Sequence, residues 1–178
     1  MATICVFCSS SEHIPGRYVE LAHAVGTELA ARGHSLVSGG GSVSCMGAVA
    51  VAARAGGAHT VGVIPDALKA REVADVEADE LVVTADMRSR KAEMDRRADG
   101  FLVLPGGLGT LEELLEIWTA RVLGMHDKPV VVLDPDGVFD PLRSQLDHFL
   151  AAGFAGRTAA EAIAWATAIP EAFDALPA

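Results

Sequence analysis

The chain has 178 residues, 51% of them hydrophobic, with 24 acidic against 14 basic side chains and a formal net charge of −10. That apolar content excludes a globally disordered chain, and the length suits one domain with a sizeable core. The acidic balance excludes general binding to nucleic acid or to an anionic membrane surface.

Strand-like and helix-like segments alternate from one end to the other. Residues 3–7 read as the first strand, and 17–32 as a helix whose apolar stripe is Leu21, Ala24, Val25 and Leu29 and whose stop is Gly33. Strand 35–38 and helix 46–55 follow, then strands 60–64 and 80–83 and helix 86–98, with Asp86 as its cap. Strand 100–104, helix 110–123, strand 130–133 and helix 139–152 continue the alternation; a strand over 163–166 and a short helix over 171–176 close it. Strands alternating with helices predict a mostly parallel sheet covered on both faces, an α/β Rossmann-like three-layer domain over residues 1–178. No run reaches the ~18 apolar residues of a spanning helix, and the start of the chain carries no secretion signal, so a cytoplasmic location and no membrane partner are expected.

Cys5 and Cys8 form a C-x-x-C, a spacing shared with redox and metal sites. Here it falls on a strand, where residues three apart point to opposite faces. Cys45 is distant in sequence, and the six histidines form no ligand cluster. No disulfide, metal or other cofactor is expected.

In a sheet of this kind ligands bind beyond the carboxyl ends of the strands. Three loops lie there. The first is Cys8-Ser9-Ser10-Ser11, and the second is Gly39-Gly40-Gly41-Ser42-Val43-Ser44-Cys45-Met46-Gly47. Ser9, Ser10, Gly40, Gly41 and Gly47 are the ligand-side candidates there. Ser44 stands where a G-x-G-x-x-G fingerprint needs its last glycine, which argues against a nicotinamide-dependent oxidoreductase.

The third loop, Pro105-Gly106-Gly107-Leu108-Gly109-Thr110-Leu111-Glu112-Glu113, is the most informative. A turn almost without side chains leads from a strand into a helix, so backbone N–H groups and the helix dipole face a common point, an arrangement suited to an anion such as phosphate. Glu113 adds a carboxylate one turn further on. Thr110 and Glu113 also have the spacing of a capping box, a purely structural alternative. Three glycines are not needed for a cap, whereas close approach of backbone to ligand needs them.

Between Asp86 and Arg97 lie five of the chain's 14 basic residues, including Arg90 and Lys91. A solvated helix face with Glu93 and Asp95 as local partners is the plain reading. A basic island in an acidic chain, close to the glycine-rich turn in the alternation, is the functional one.

Val6-Phe7-Cys8-Ser9-Ser10, the second glycine loop, Met87-Arg88-Ser89-Arg90-Lys91 and the PGGLGTLEE stretch together resemble the LONELY GUY (LOG) family, nucleoside 5′-monophosphate phosphoribohydrolases that activate cytokinins and are often mislabelled lysine decarboxylases. The resemblance extends over nearly the whole chain, including Gly124 to Pro129 and Gly137 to Asp140. It implies that Arg90 and Glu113 are the catalytic pair. It also implies that Glu72, Lys91, Gly106, Gly107, Leu108, Gly109, Thr110 and Thr119 contact a nucleoside monophosphate, and that the protein is a homodimer. Surface solvation explains Glu72 equally well, and a hydroxyl bonded back to its own helix explains Thr119. The sequence departs from the family pattern at Ser9 (glycine), Ser44-Cys45 (Gly-Leu), Arg88 (histidine) and Leu108 (an aromatic), departures that bear on the choice of base. The implied reaction cleaves the N-glycosidic bond of an adenine-type (cytokinin) nucleotide, giving free base and ribose 5-phosphate, with plain AMP as an alternative substrate. A non-catalytic nucleotide-binding module of the same fold is the rival reading. A decarboxylase is not favoured, since no lysine has a recognisable pyridoxal phosphate setting.

Overall fold

The strands of the sheet are β1 (Thr3–Phe7), β2 (Ser35–Ser38), β3 (Thr60–Pro65), β4 (Glu80–Thr84), β5 (Gly100–Val103), β6 (Val130–Leu133) and β7 (Ala164–Ala166). The structure, a computed structural model, describes residues 1–70 and 72–178. The strand order is β4-β3-β2-β1-β5-β6-β7, and every adjacent pair is parallel. Helices α1 (Gly16–Ala31), α2 (Ser44–Ala55), α3 (Met87–Arg97), α4 (Leu108–Val122), α5 (Asp140–Ala152), α6 (Arg157–Glu161) and α7 (Ile169–Asp174) complete a three-layer α/β architecture.

Side-chain alternation along the strands builds two cores. Ile4 and Val6 join Leu36, Leu102 and Val131 under α1, α2 and α7, whereas Cys5 and Phe7 join Val37, Phe101 and Val132 under α3 and α4. Cys5 and Cys8 are free and lie in these two different cores, as their spacing on a strand requires. Phe101 is fully buried and stacks on Phe7 with ring centroids 5.9 Å apart, an arrangement that stabilises by roughly 2–3 kcal/mol.

The α1 stripe is rotated slightly from expectation. Its buried face is Ala22, Val25, Gly26 and Leu29, while Ala24 is exposed. Gly26 decides this, because a Cβ there would lie 2.3 Å from Val49 O on α2, so the two helices meet over a bare backbone. Helix α6, in the alanine-rich tail, and a single 3-10 turn at Asp66–Leu68 are additions to the elements read from the sequence. Among the described residues, no helix is long and apolar enough to cross a membrane.

Strand order reverses at β1, which has β2 on one side and β5 on the other. The loops leaving β1 and β5 therefore diverge to opposite faces and leave a crevice above Phe7 and Val103.

Candidate active site

The crevice is walled by α4 on one side. Gly107 is the N-cap in extended conformation, without a side-chain hydrogen bond, and the helix begins at Leu108, two residues before the expected Thr110. Thr110 is thus inside the first turn and Glu113 in the second, so the capping-box reading is wrong. The reason is local. Thr110 is buried against Gly106, where a Cβ would come within 2.2 Å of Thr110 Oγ1. The N–H groups of Leu108, Gly109 and Thr110 precede the first helical hydrogen bond, from Leu111 N to Gly107 O at 2.9 Å.

Helix α3 forms the opposing wall. Asp86 caps it as expected, accepting from Ser89 N at 2.8 Å. Met87, Arg90 and Met94 recur at helical spacing and all face the crevice. Arg90 is only 4% exposed. Its Nη2 donates to Gly39 O at 2.9 Å and lies 3.4 Å from Glu72 Oε2. The latter contact is an ion pair without hydrogen-bond geometry, and both Glu72 Oε2 and Arg90 Nε are buried without a hydrogen-bond partner among the described residues. Such groups are costly unless something polar completes them.

Arg90, Glu72, Glu113, Gly109, Thr110, Ser10, Gly39 and Met46 line one cavity of about 110 Å³. Glu113 is held well above the usual carboxylate range, at about 7. Burial is the main cause; Arg90 opposes it, Glu112 and Glu72 reinforce it, and Lys91 opposes it. Cys8 also faces this cavity, where burial first of all pushes its thiol up, so it is a poor nucleophile.

Through Phe7 and Glu113 the cavity adjoins a wider groove of about 850 Å³ between α3 and α4, which carries Lys91 and Thr119. Lys91 pairs with Glu112 and Glu116, and these carboxylates keep its pKa above the ordinary lysine value against partial burial. The structure thus divides the sequence candidates. Arg90, Glu113, Glu72, Gly109, Thr110 and Ser10 meet in the cavity, and Lys91 and Thr119 line the groove. Gly107 and the 86% exposed Leu108 stand at the surface of the turn.

The remaining loop candidates have structural duties. The Ser9 hydroxyl is buried and accepts from Ser11 N at 3.1 Å. Gly40, at φ +73°, packs its backbone on Gly62 and Val63, Gly41 abuts Met46 and Glu72, and Gly47 sits on Ser42 O. Ser44 adopts φ +52°, a conformation that favours the glycine usual there, and its hydroxyl donates to Ser11 O at 2.6 Å, tying the first two loops together. Sequence reasoning missed Gly39, Met46 and Met87. The 87-90-94 spacing contained the signal for Met87; Gly39 was hidden among three consecutive glycines.

A doubly wound parallel sheet with a charged cleft at its switch point and a glycine-rich helix start beside it defines a Rossmann-like ligand-binding α/β protein. A family model described as "Possible lysine decarboxylase" matches residues 46–176. A Mycobacterium marinum protein named "Cytokinin riboside 5'-monophosphate phosphoribohydrolase" is 56% identical over 159 residues, covering 89% of this chain and 84% of its own. Proteins of the same name from Mycobacterium tuberculosis (54% identical, 89% of this chain and 84% of its own) and Arabidopsis thaliana (47%, 90% and 74%) are similar as well. The chain belongs to this family, the LONELY GUY family that its motifs resemble. Among solved structures, the molybdenum cofactor binding protein of Rippkaea orientalis superposes with a TM-score of 0.73 at 21% identity, covering 97% of this chain and 93% of its own, a likeness of fold alone.

Proposed function

We propose that this protein hydrolyses the N-glycosidic bond of adenine-type, cytokinin-like nucleoside 5′-monophosphates, releasing the free base and ribose 5-phosphate. The names of relatives 47–56% identical along most of the chain support the substrate class. One observation carries the mechanism: Glu113 and Arg90 line the same cavity beside the first turn of α4.

The N–H groups at that turn, with the helix dipole, suit the 5′-phosphate. Arg90 has Glu72 against it at 3.4 Å and feels the charge of Glu113, so a phosphate on the guanidinium would meet two carboxylates. Its role is therefore on the ribose or base side, stabilising charge as the base departs. Glu113 as carboxylate stabilises the oxocarbenium-like ribose and orients the attacking water. The water oxygen bonds to C1′ as the C1′–N bond breaks; one water proton passes to Glu113, the departing base takes a proton from solvent, and Glu113 releases its own to solvent to regenerate the carboxylate. Held phosphate converts remote binding energy into positioning of the sugar.

Residues 1–178 form one nucleotide-binding domain in this reading, working as a cytoplasmic homodimer. Exposed Leu115, Leu123 and Met125 on and after α4 offer apolar surface to a second copy, and three free cysteines suit a reducing compartment.

The test is chromatographic: incubation with AMP, isopentenyladenosine 5′-monophosphate, GMP, CMP and the matching nucleosides. Base released from the adenine-type monophosphates and not from nucleosides is the expected result. Preference between AMP and the isopentenyl nucleotide identifies the substrate, and no release from any of them leaves a non-catalytic binding module.

A further inference from the structure

The segment that brings Glu72 to the cavity is fixed from behind, by residues that do not line the cavity. Asp75 is 5% exposed and accepts from Arg54 Nη1 at 2.7 Å and Nη2 at 3.0 Å, a bidentate pair with the last turn of α2. Its backbone N–H donates to Gly40 O at 2.8 Å, and Gly41 pairs with Ala74 in an isolated antiparallel bridge. Ser42 closes a second point: its N–H and its hydroxyl both donate to Val73 O, at 2.8 and 2.7 Å.

Val73 itself has φ +48°. For a β-branched residue that is a genuine outlier, and such strain persists only where the surroundings over-determine the backbone. The strained residue directly follows Glu72, whose Oε2 is 3.4 Å from Arg90 Nη2. A buried ion pair adds little stability over apolar residues of the same size, but it demands one geometry. The second glycine loop thus gains a purpose. Gly39 O accepts from Arg90 Nη2, while the next three residues hold the segment whose Glu72 carboxylate approaches that same nitrogen.

We propose that Arg54, Asp75 and the Ser42 hydroxyl are positioning residues, which fix the backbone of residues 72–75 so that the Glu72 carboxylate meets Arg90 and the bound nucleotide. This rests on the nucleotide-hydrolase reading above. The pair stands outside the cavity and acts only through Glu72, so its effect on ligand binding must vanish once Glu72 has lost its charge, whereas its effect on folding must not.

The experiment is a double-mutant cycle in the full chain on a Glu113→Gln background, with isopentenyladenosine 5′-monophosphate as the calorimetric ligand and thermal melting run alongside. Asp75→Asn is expected to weaken nucleotide binding about tenfold when Glu72 is present and less than about twofold in Glu72→Gln protein, with the same fall in melting temperature in both. Equal weakening in the two backgrounds, or none in the first, overturns the proposal. Should Asp75→Asn not fold, Ser42→Ala runs the same cycle and must show the same non-additivity. A parent protein that binds no nucleotide overturns the nucleotide reading instead, and the positioning role with it.

Discussion

Arg90 Nη2 lies 2.9 Å from the carbonyl of Gly39 and 3.4 Å from Glu72 Oε2, so a single guanidinium joins α3 to the two segments that follow β2 and β3. It is nearly sealed from solvent, with one nitrogen, Nε, left without a hydrogen-bond partner among the described residues. A cation this constrained has its geometry set before any ligand arrives, which is the condition for electrostatic stabilisation without reorganisation.

Gly39→Ala tests that preorganisation. A Cβ at Gly39 would fall 1.9 Å from Arg90 Nη2, so the guanidinium must move while the backbone around it stays. We expect kcat/KM to fall by about 100-fold, the scale of a misplaced catalytic group, with the circular dichroism spectrum unchanged. Wild-type turnover in this variant would remove Arg90 from the reaction.

The turn before α4 separates folding from binding glycine by glycine. A Cβ on Gly106 would clash with Thr110 at 2.2 Å, whereas one on Gly107 meets no atom of the described residues within 4 Å. Gly106→Ala should lower the melting temperature, by overpacking of about 1–3 kcal/mol. Gly107→Ala should leave it within experimental error and yet raise KM for monophosphates, because the methyl intrudes where the phosphate approaches. If KM is unchanged for Gly107→Ala, the phosphate is not held at this turn.

The alternation of strands and helices was legible in the sequence because parallel strands buried on both faces are short apolar runs, as Phe101 to Leu104 and Val130 to Leu133 show. The glycine turn was legible because three glycines are more than a cap needs, and Arg90 because a basic segment stood out in an acidic chain, although Arg96 and Arg97 of that segment pair with Glu93 as an ordinary helix face does. What one sequence does not display is which glycine of several touches what. Gly39, Gly40 and Gly41 read alike, yet the first holds Arg90, the second adopts φ +73° and the third packs on Met46. Thr110 misled for a related reason, since the spacing of a cap and the spacing of a buried first-turn threonine are identical until Gly106 is seen beneath it.

The pH profile of kcat/KM should report Glu113 ionisation. Its carboxyl is held up to about 7 by burial, against Arg90 and Lys91 and with Glu112 and Glu72 reinforcing. The carboxylate is the active form, so kcat/KM should rise with pH through a midpoint near 7 and level off above it. Glu72→Gln removes one of the reinforcing charges and should move the midpoint to lower pH. A midpoint indifferent to Glu72 would assign the limb to the substrate phosphate.

Glu113→Gln joins the catalytic reading to a stability measurement that a structural role would reverse. The unfolded chain ionises this side chain near 4.5 and the folded protein near 7. Between those values the folded state holds a proton that the unfolded state has released, so folding weakens as pH rises through the window, and above 7 the penalty is constant at about 3 kcal/mol. A glutamine carries no such penalty. The variant should therefore melt at a higher temperature than wild type at pH 8, show no gain at pH 4, and turn over at least 100-fold more slowly with nucleotide binding largely retained. A capping side chain would give the opposite pattern, a lower melting temperature with turnover spared, and that outcome would withdraw Glu113 from the chemistry.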